Sequence, residues 1–432
     1  MKRYVCSRRG ILLALFSTCV MLSLPAYALT LQDVIKDTLK SNPDIQAARQ
    51  EMLARAQEVR GARAGYLPTL DAEAGVGREW TQSPSTQNQG ITLTREEAAL
   101  RLRQTVYDGN ATHSEVKRQK ARYKSALYSA IDVQENAALR VSQAYINVLR
   151  EAELLSLLKE SLDEHQNIYD QMQLRSKAGV GSRVDVDQIA VRLSLATSNF
   201  IAGKNNFLNA LSQFQGLVGY IPDASVMEEP IDFVLPVDLN ESIELSLVEH
   251  PAIKSALADI EAAEAQHTAS KSENYPRLLI EGDRTWNEDI DGAEGKNEDW
   301  VIALRLRYNL YKGGAHQARR KQMAELLTQA KEVYRGAQWE AEEGMRLSWY
   351  AYEATKQQLE HLTVHVESVT TTKEAYTKQF NIGRRTLLDL LNTENELVSA
   401  KQAYANTKYD QMYSKIRVLN SSGQLTKALG IK

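Results

Sequence analysis

From Trp300 onward the chain alternates. Trp300, Ile302, Leu304, Leu306, Tyr308 and Leu310 fall on one side, and Val301, Ala303, Arg305, Arg307 and Asn309 on the other. A period of two belongs to a β-strand whose faces meet different surroundings. Leu100, Leu102 and Val106 alternate in the same way with Arg101, Arg103 and Thr105, and Leu70, Ala72, Ala74 and Val76 mark a strand before them. These segments predict two hairpins, with polar connections at Gln82–Gly90 and Asn287–Asn297. Elsewhere the period is helical: one helix from Leu31 to about Arg63, another from Leu239 to about Lys271, and two proline-free stretches, from Ala111 to about Arg175 and from Ala315 to about Gln379. At 1.5 Å per residue each long stretch would reach about 100 Å. Val141, Tyr145, Val148, Leu155, Leu158 and Leu162 follow mixed three- and four-residue spacing, a coiled-coil-like seam for packing helix on helix.

The pattern occurs twice. Leu31, Ile35, Leu39, Pro43, Ile45 and Pro68 recur as Leu239, Ile243, Leu247, Pro251, Ile253 and Pro276, and Leu102–Gly109 recurs as Leu306–Gly313. The offset steps from 208 to 204 between these landmarks and stays at 204 for Gly179/Gly383 and Asp185/Asp389. Fixed-offset self-similarity marks a duplicated architecture. The expected organisation is a signal peptide at 1–28, a first repeat at 29–221, a linker at 222–236, a second repeat at 237–420 and a tail at 421–432.

Strands of about ten residues, apolar on one side and bordered by aromatics, suit an outer-membrane β-barrel. Trp80, Tyr107, Trp286, Trp300, Tyr308 and Tyr311 are the candidate membrane-interface aromatics. Four strands cannot close a barrel, and open sheet edges are not tolerated in lipid, so several copies would have to combine. An amphipathic hairpin on a soluble core and a soluble helical rod give the same local patterns, and the alternation alone leaves both open.

The first residues change that balance. Lys2, Arg3, Arg8 and Arg9 precede an apolar run from Ile11 to Leu24, and Ala26-Tyr27-Ala28 offers a cleavage site, the plan of a secretory signal peptide. Ser7-Arg8-Arg9 also allows a twin-arginine route. Cys6 and Cys19 both lie inside this segment, so a mature chain starting near Leu29 has no thiol. Its removal takes four cations from a chain of formal net charge −3 and leaves −7, which argues against nucleic acid as a partner. No later stretch has the roughly 20 apolar residues of a membrane-spanning helix.

The duplicated order of a helix closing in Tyr66-Leu67-Pro68, a hairpin, a Tyr-x-Gly turn (Tyr107–Gly109, Tyr311–Gly313) and a long helix resembles the TolC-type outer-membrane factors of efflux and type I secretion. The resemblance covers essentially the whole mature chain. It implies a mainly α fold with a small β part: duplicated long helical hairpins forming a periplasmic tunnel, and four strands given to a trimeric 12-stranded outer-membrane β-barrel. It also implies a homotrimer in outer-membrane lipid, a periplasmic adaptor (membrane fusion) protein, and an inner-membrane ABC transporter or proton-driven pump as partners. The expected function is a passive exit duct, with type I protein secretion favoured over drug efflux by the ending Leu419–Thr426.

In the resemblance, the turns at Lys177–Arg183 and Asn381–Thr386 sit at the periplasmic entrance. Gly179 and Gly383 supply the positive φ often needed after a helix. Asp389 matches the first acidic position of the entrance ring, and Arg385 with Asp185 matches an interhelix latch. The second acidic position is Asn392 and the latch tyrosine is Phe380, so this gate is expected to be less acidic and to hold fewer polar latches.

No catalytic motif accompanies this plan. There is no Gly-x-Ser-x-Gly elbow and no phosphate-cradling loop. His361 and His365 stand four apart, but Leu362 occupies the place of the zincin glutamate. No enzyme, cofactor or metal is expected. The other class of function left by the residues is a periplasmic coiled-coil adaptor or scaffold that never enters lipid.

Overall fold

The computed structural model describes residues 29–222, 227, 228, 230 and 232–431. The expected signal peptide lies outside them, as do parts of the linker. Each repeat runs helix, helix, hairpin, long helix, return helix. The first comprises α1 (Leu31–Ser41), α2 (Pro43–Ala64), β1 (Thr69–Thr81), β2 (Ile91–Tyr107), α3 (Ala111–Lys177) and α4 (Arg183–Val218). The second comprises α5 (Leu239–Glu249), α6 (Pro251–Ser270), β3 (Arg277–Ile290), β4 (Ala293–Arg307), α7 (Ala315–Asn381) and α8 (Leu387–Ser421), and a short α9 (Leu425–Ala428) follows.

The opening helix of each repeat is two helices, not the single one expected. Proline lacks the N–H that a helix interior needs but fits the first helical position. Pro43 and Pro251 therefore begin new helices, with Asn42 and His250 as caps. The long helices are continuous, at 67 residues each.

The four strands form one antiparallel sheet in the order β1-β2-β3-β4, so the repeats meet where β2 pairs with β3. Except beyond the bulges that pair Tyr107 with Leu278 and Ile290 with Ala293, partners share parity: Leu70 faces Leu102, Leu102 faces Gly282 and Gly282 faces Ile302. Even-numbered positions consequently share one face. That face carries Leu70, Leu100, Leu102, Ile280, Ile302, Leu304 and Leu306, while Asp71, Glu73, Arg101, Arg103, Glu281, Asp283, Arg305 and Arg307 occupy the other. The strands are longer than the ten or so residues expected, at 13 to 17.

The expected loop at Asn287–Asn297 is instead mostly strand, closed by a two-residue turn. Asp291 (φ 55°) and Gly292 (φ 78°) supply the two positive φ angles that match the twist of a tight hairpin. At the other end β4 stops at Arg307, so Tyr308 and Leu310, expected to continue it, lie in the connection to α7.

The helices pack side by side in a layer that follows on from the sheet. Nearer the strands the neighbours run α2-α3-α6-α7, and farther away α4-α3-α8-α7. The main core lies midway, where Val34, Ile35, Tyr145, Val148, Phe214, Ile416 and Leu425 are buried together. The Tyr145 hydroxyl donates to the Leu29 carbonyl at 2.7 Å, with the Glu228 carbonyl 2.6 Å away, and burial pushes its pKa up to about 12. Glu135 of α3, almost fully buried, accepts hydrogen bonds from the backbone N–H groups of Leu425 (3.0 Å) and Thr426 (3.1 Å). A carboxylate at the start of α9 is well placed for those otherwise unpaired donors and holds the tail against the long helix.

Candidate functional site

The far ends of the two long helices carry the expected entrance residues. At the first turn Gly179 (φ +75°) donates to the Ser176 carbonyl and Val180 to that of Arg175, both at 3.1 Å. Ser182 then caps α4 by accepting from Val184 N–H at 3.1 Å. At the second, Gly383 (φ +73°) donates to Phe380 at 3.0 Å and Arg384 to Gln379 at 2.9 Å. Thr386 and Asp389 close a reciprocal box at the start of α8, each side chain accepting from the other's backbone N–H, at 3.2 and 3.3 Å.

Beneath the turns Ile168, Met172, Ile189, Phe380, Leu387, Leu390 and Leu391 form a small core. Phe380 is buried there, with the Arg175 guanidinium 5.1 Å from its ring centroid. Its place in the apolar cluster explains a residue without a hydroxyl at this position. Arg385 and Asp185 are not paired within the chain. Arg385 reaches Asp389 at 3.8 Å, donates to Gln379 at 3.1 Å and stacks over Tyr376 at 4.2 Å, all on its own hairpin. Asp185 lies in the first turn of α4, where a carboxylate suits the helix dipole. Asn392 accepts from Arg192 at 3.5 Å, a contact that joins α8 to α4.

A second connection was not expected from the sequence. Lys373 of α7 stands 3.2 Å from Glu164 of α3 and, at ion-pair distance, 3.2 Å from Glu394 of α8. Burial pulls the Lys373 ammonium down, but the carboxylates of Glu394 and Glu164 outweigh it and hold the group above its ordinary value. Glu394 is buried. This triad ties three helices together just beneath that small core, farther from the turns. Each partner sits on a different helix, so no local spacing announces it; the only signal was a charged residue on an otherwise apolar helix face.

At the opposite end, the polar side of the sheet is laced with ion pairs. Arg101 meets Glu73 at 2.7 Å, and Glu281 is shared by Arg307 (2.7 Å) and Arg305. On the apolar side Trp80, Trp286 and Trp300 are exposed. Trp300 lies in the row Ala72–Leu100–Arg284–Trp300, well inside β4 and not at its end. Tyr107 closes β2, and Tyr308 and Tyr311 follow β4. Among the described residues no helix is long and apolar enough to cross a membrane.

The single chain is open along both sides. Among the described residues β1 and β4 each pair with one strand only, and the border helices carry exposed apolar residues: Val184, Val191, Leu195 and Ile201 on α4, and Val333, Trp339, Leu347 and Val364 on α7. Exposed apolar residues beside unpaired strand edges are the kind of surface that interfaces cover.

Comparison with known proteins agrees with this architecture. The chain is 21% identical over 413 residues to the outer membrane efflux protein BepC of Brucella suis, covering 95% of this chain and 89% of that protein. It is 23% identical to the alkaline protease secretion protein AprF of Pseudomonas aeruginosa, covering 93% and 86%. The crystal structure of the transmembrane channel CusC superposes with a TM-score of 0.79 at 16% identity, covering 93% of this chain and 92% of that one. The pattern defining the outer membrane efflux protein family matches residues 34–220 and 242–424, one block in each repeat. With most of its length matched in two blocks that coincide with its own duplication, the chain belongs to the outer membrane efflux protein family.

Proposed function

We propose that three copies of this outer-membrane channel protein close into one barrel and one tunnel, and that the duct serves type I protein secretion. The observation that carries the assembly is the open border. A strand edge in lipid leaves backbone groups unpaired at a cost of several kcal/mol each, so β4 of one copy must meet β1 of another. The helical borders follow, α7 of one copy lying against α2 and α4 of the next. The polar face of the sheet then lines a water-filled lumen and the apolar face meets lipid. The duct is passive and not an enzyme: a periplasmic adaptor and an inner-membrane ABC transporter or proton-driven pump supply cargo and energy.

The entrance turns form the gate. Because α4 is a border helix, Asp185 of one copy would meet Arg385 of its neighbour, making the latch a contact between copies, while Asp389 contributes the acidic ring. Opening requires a partner with higher affinity for the untwisted turns, since only differential binding shifts such an equilibrium. Similarity to AprF, named for protease secretion, and the short ending at Leu419–Thr426 support protein export. Similarity to BepC, named for efflux, supports the second reading, small-molecule efflux. Deleting the gene distinguishes them: loss of a secreted protein with unchanged drug tolerance supports secretion, whereas intact secretion with new drug sensitivity supports efflux.

A further inference from the structure

The two repeats differ sharply where the sheet passes into the long helices. At the offset of 204, Asp108 is replaced by Lys312, Glu115 by Arg319 and Val116 by Arg320, while Lys117 and Lys321 agree. In the first repeat these residues are satisfied within the chain. Asp108 accepts from Thr112 N–H at 2.8 Å, Glu115 holds Arg118 at 2.7 Å, and Val116 is buried. In the second repeat Lys312, Arg319, Arg320 and Lys321 are all exposed. No acidic residue occurs between Asp299 and Glu325. The carboxylate that faces this stretch from outside it is Glu273, which is held by His316 and also attracted by Lys312, leaving Arg319, Arg320 and Lys321 without a carboxylate in the salt bridges seen.

Three large residues beside this cluster are also exposed: Tyr308 at 51%, Leu310 at 87% and Tyr311 at 84%. They lie between the end of β4, where the apolar face of the sheet stops, and the start of α7. On a neighbouring copy the nearest carboxylate of α2, Glu58, is already held by Arg55 at 2.9 Å. That helix ends in Arg60 and Arg63, and no acidic residue lies between Glu58 and Asp71. The cations Arg319 to Lys321 sit four to six residues into α7, about 6 to 9 Å along the helix from its start, within a Debye length of a membrane surface placed at the strand ends.

We propose that Lys312, Arg319, Arg320 and Lys321, with Tyr308, Leu310 and Tyr311 as an interfacial anchor, bind anionic phospholipid headgroups of the periplasmic leaflet of the outer membrane. The proposal rests on the sheet spanning that membrane. Apolar side chains insert at the acyl boundary, and exposed cations just beyond them meet headgroup phosphates, the arrangement by which basic juxtamembrane segments select anionic lipid. The acidic counterparts in the first repeat make the anchor a property of the second repeat alone, present once per chain.

The test places the purified full-length assembly in nanodiscs of phosphatidylcholine with and without phosphatidylglycerol and measures which lipid the protein retains by native mass spectrometry. Wild type is expected to enrich phosphatidylglycerol, with the enrichment falling as salt rises. Arg319→Gln/Arg320→Gln/Lys321→Gln is expected to reduce the preference by at least about tenfold, and Arg319→Lys/Arg320→Lys to retain it. Equal retention of both lipids by wild type, or an unchanged preference in the neutralised variant, overturns the proposal. So does wild type releasing the lipid to an acidic periplasmic protein, which would make the patch a protein-docking surface. If the triple variant fails to assemble, the lysine variant and the salt series decide alone. Failure of wild type to enter any nanodisc overturns the outer-membrane reading itself, and is recognised by the absence of protein from the disc fraction.

Discussion

Asn42 and His250, 208 positions apart, cap the second helix of their respective repeats. Asn42 accepts from Asp44 N–H at 2.9 Å, and His250 Nδ1 accepts from Ala252 N–H at 3.2 Å. The first cap is indifferent to pH, while the second works only with a neutral imidazole, because the protonated ring has no acceptor. Burial holds His250 below its ordinary 6.5, with Asp132 opposing. On acidification the unfolded chain takes up that proton first. The stability His250 contributes is therefore present above pH 6.5 and lost as the pH falls through the lower folded value. Thermal unfolding of the wild type should drop to lower temperature as the pH is lowered below 6.5, and His250→Asn should flatten this interval while keeping the cap. A wild type and variant with the same slope would contradict the assignment.

Lys373 holds Glu164 and Glu394 together near the entrance. Lys373→Met leaves Glu394 buried without its cation and should cost about 2 to 3 kcal/mol, at the low end for breaking a buried pair because the lysine keeps some exposure. Adding Glu394→Leu should recover most of that loss. Denaturant titration of the three proteins checks the coupling; strictly additive losses would show that the two side chains do not depend on each other.

The duplication also specifies contacts between copies. Lys401 of α8 meets Glu160 of α3 at 3.1 Å within the chain. The 204-residue offset carries this contact to Thr197 of α4 and Val364 of α7, both exposed in the single chain and on opposite borders. With no cysteine in the sequence after Cys19, Thr197→Cys/Val364→Cys should be joined between copies by a short bis-maleimide, giving linked trimers on a denaturing gel. Linkage confined to single chains, or none, would contradict the proposed border.

Arg385 anchors its turn through Asp389, Gln379 and Tyr376. Arg385→Ser removes these contacts together with the proposed pairing to a neighbour's Asp185, and single-channel conductance in a planar bilayer should rise. Because exposed ion pairs are commonly worth about 0 to 1 kcal/mol, a severalfold change is the expected scale. Unchanged conductance would remove Arg385 from the gate.

Much of the architecture could be read from the chain because period and repetition are local. The alternation at Trp300–Leu306 and the proline-free runs gave strands and long helices, and the recurrence of Gly179 as Gly383 located both turns. The misreadings also have physical causes. Pro43 and Pro251 served as repeat landmarks while the helices were carried through them, although proline starts a helix far more readily than it interrupts one. The polar run around Asp291–Gly292 suggested a loop, but charged side chains on long strands beyond the apolar band are just as polar, and the Asp-Gly pair was the turn signal. The entrance was less legible. Arg385 was paired with Asp185 by resemblance, whereas within one chain its reachable carboxylate is Asp389, one helical turn along. Lys373, Glu164 and Glu394 lie on three helices, and no linear pattern brings them together.

The central claim is that this chain closes a membrane-spanning channel only by combining with copies of itself. The mass of the detergent-solubilised protein recovered from the outer-membrane fraction tests it most directly. Three copies per particle are expected, recovered from that fraction. A single-copy protein released in soluble form from the periplasm would contradict the account, because the borders of the sheet and of the helical layer would then have to be stable in water without a partner.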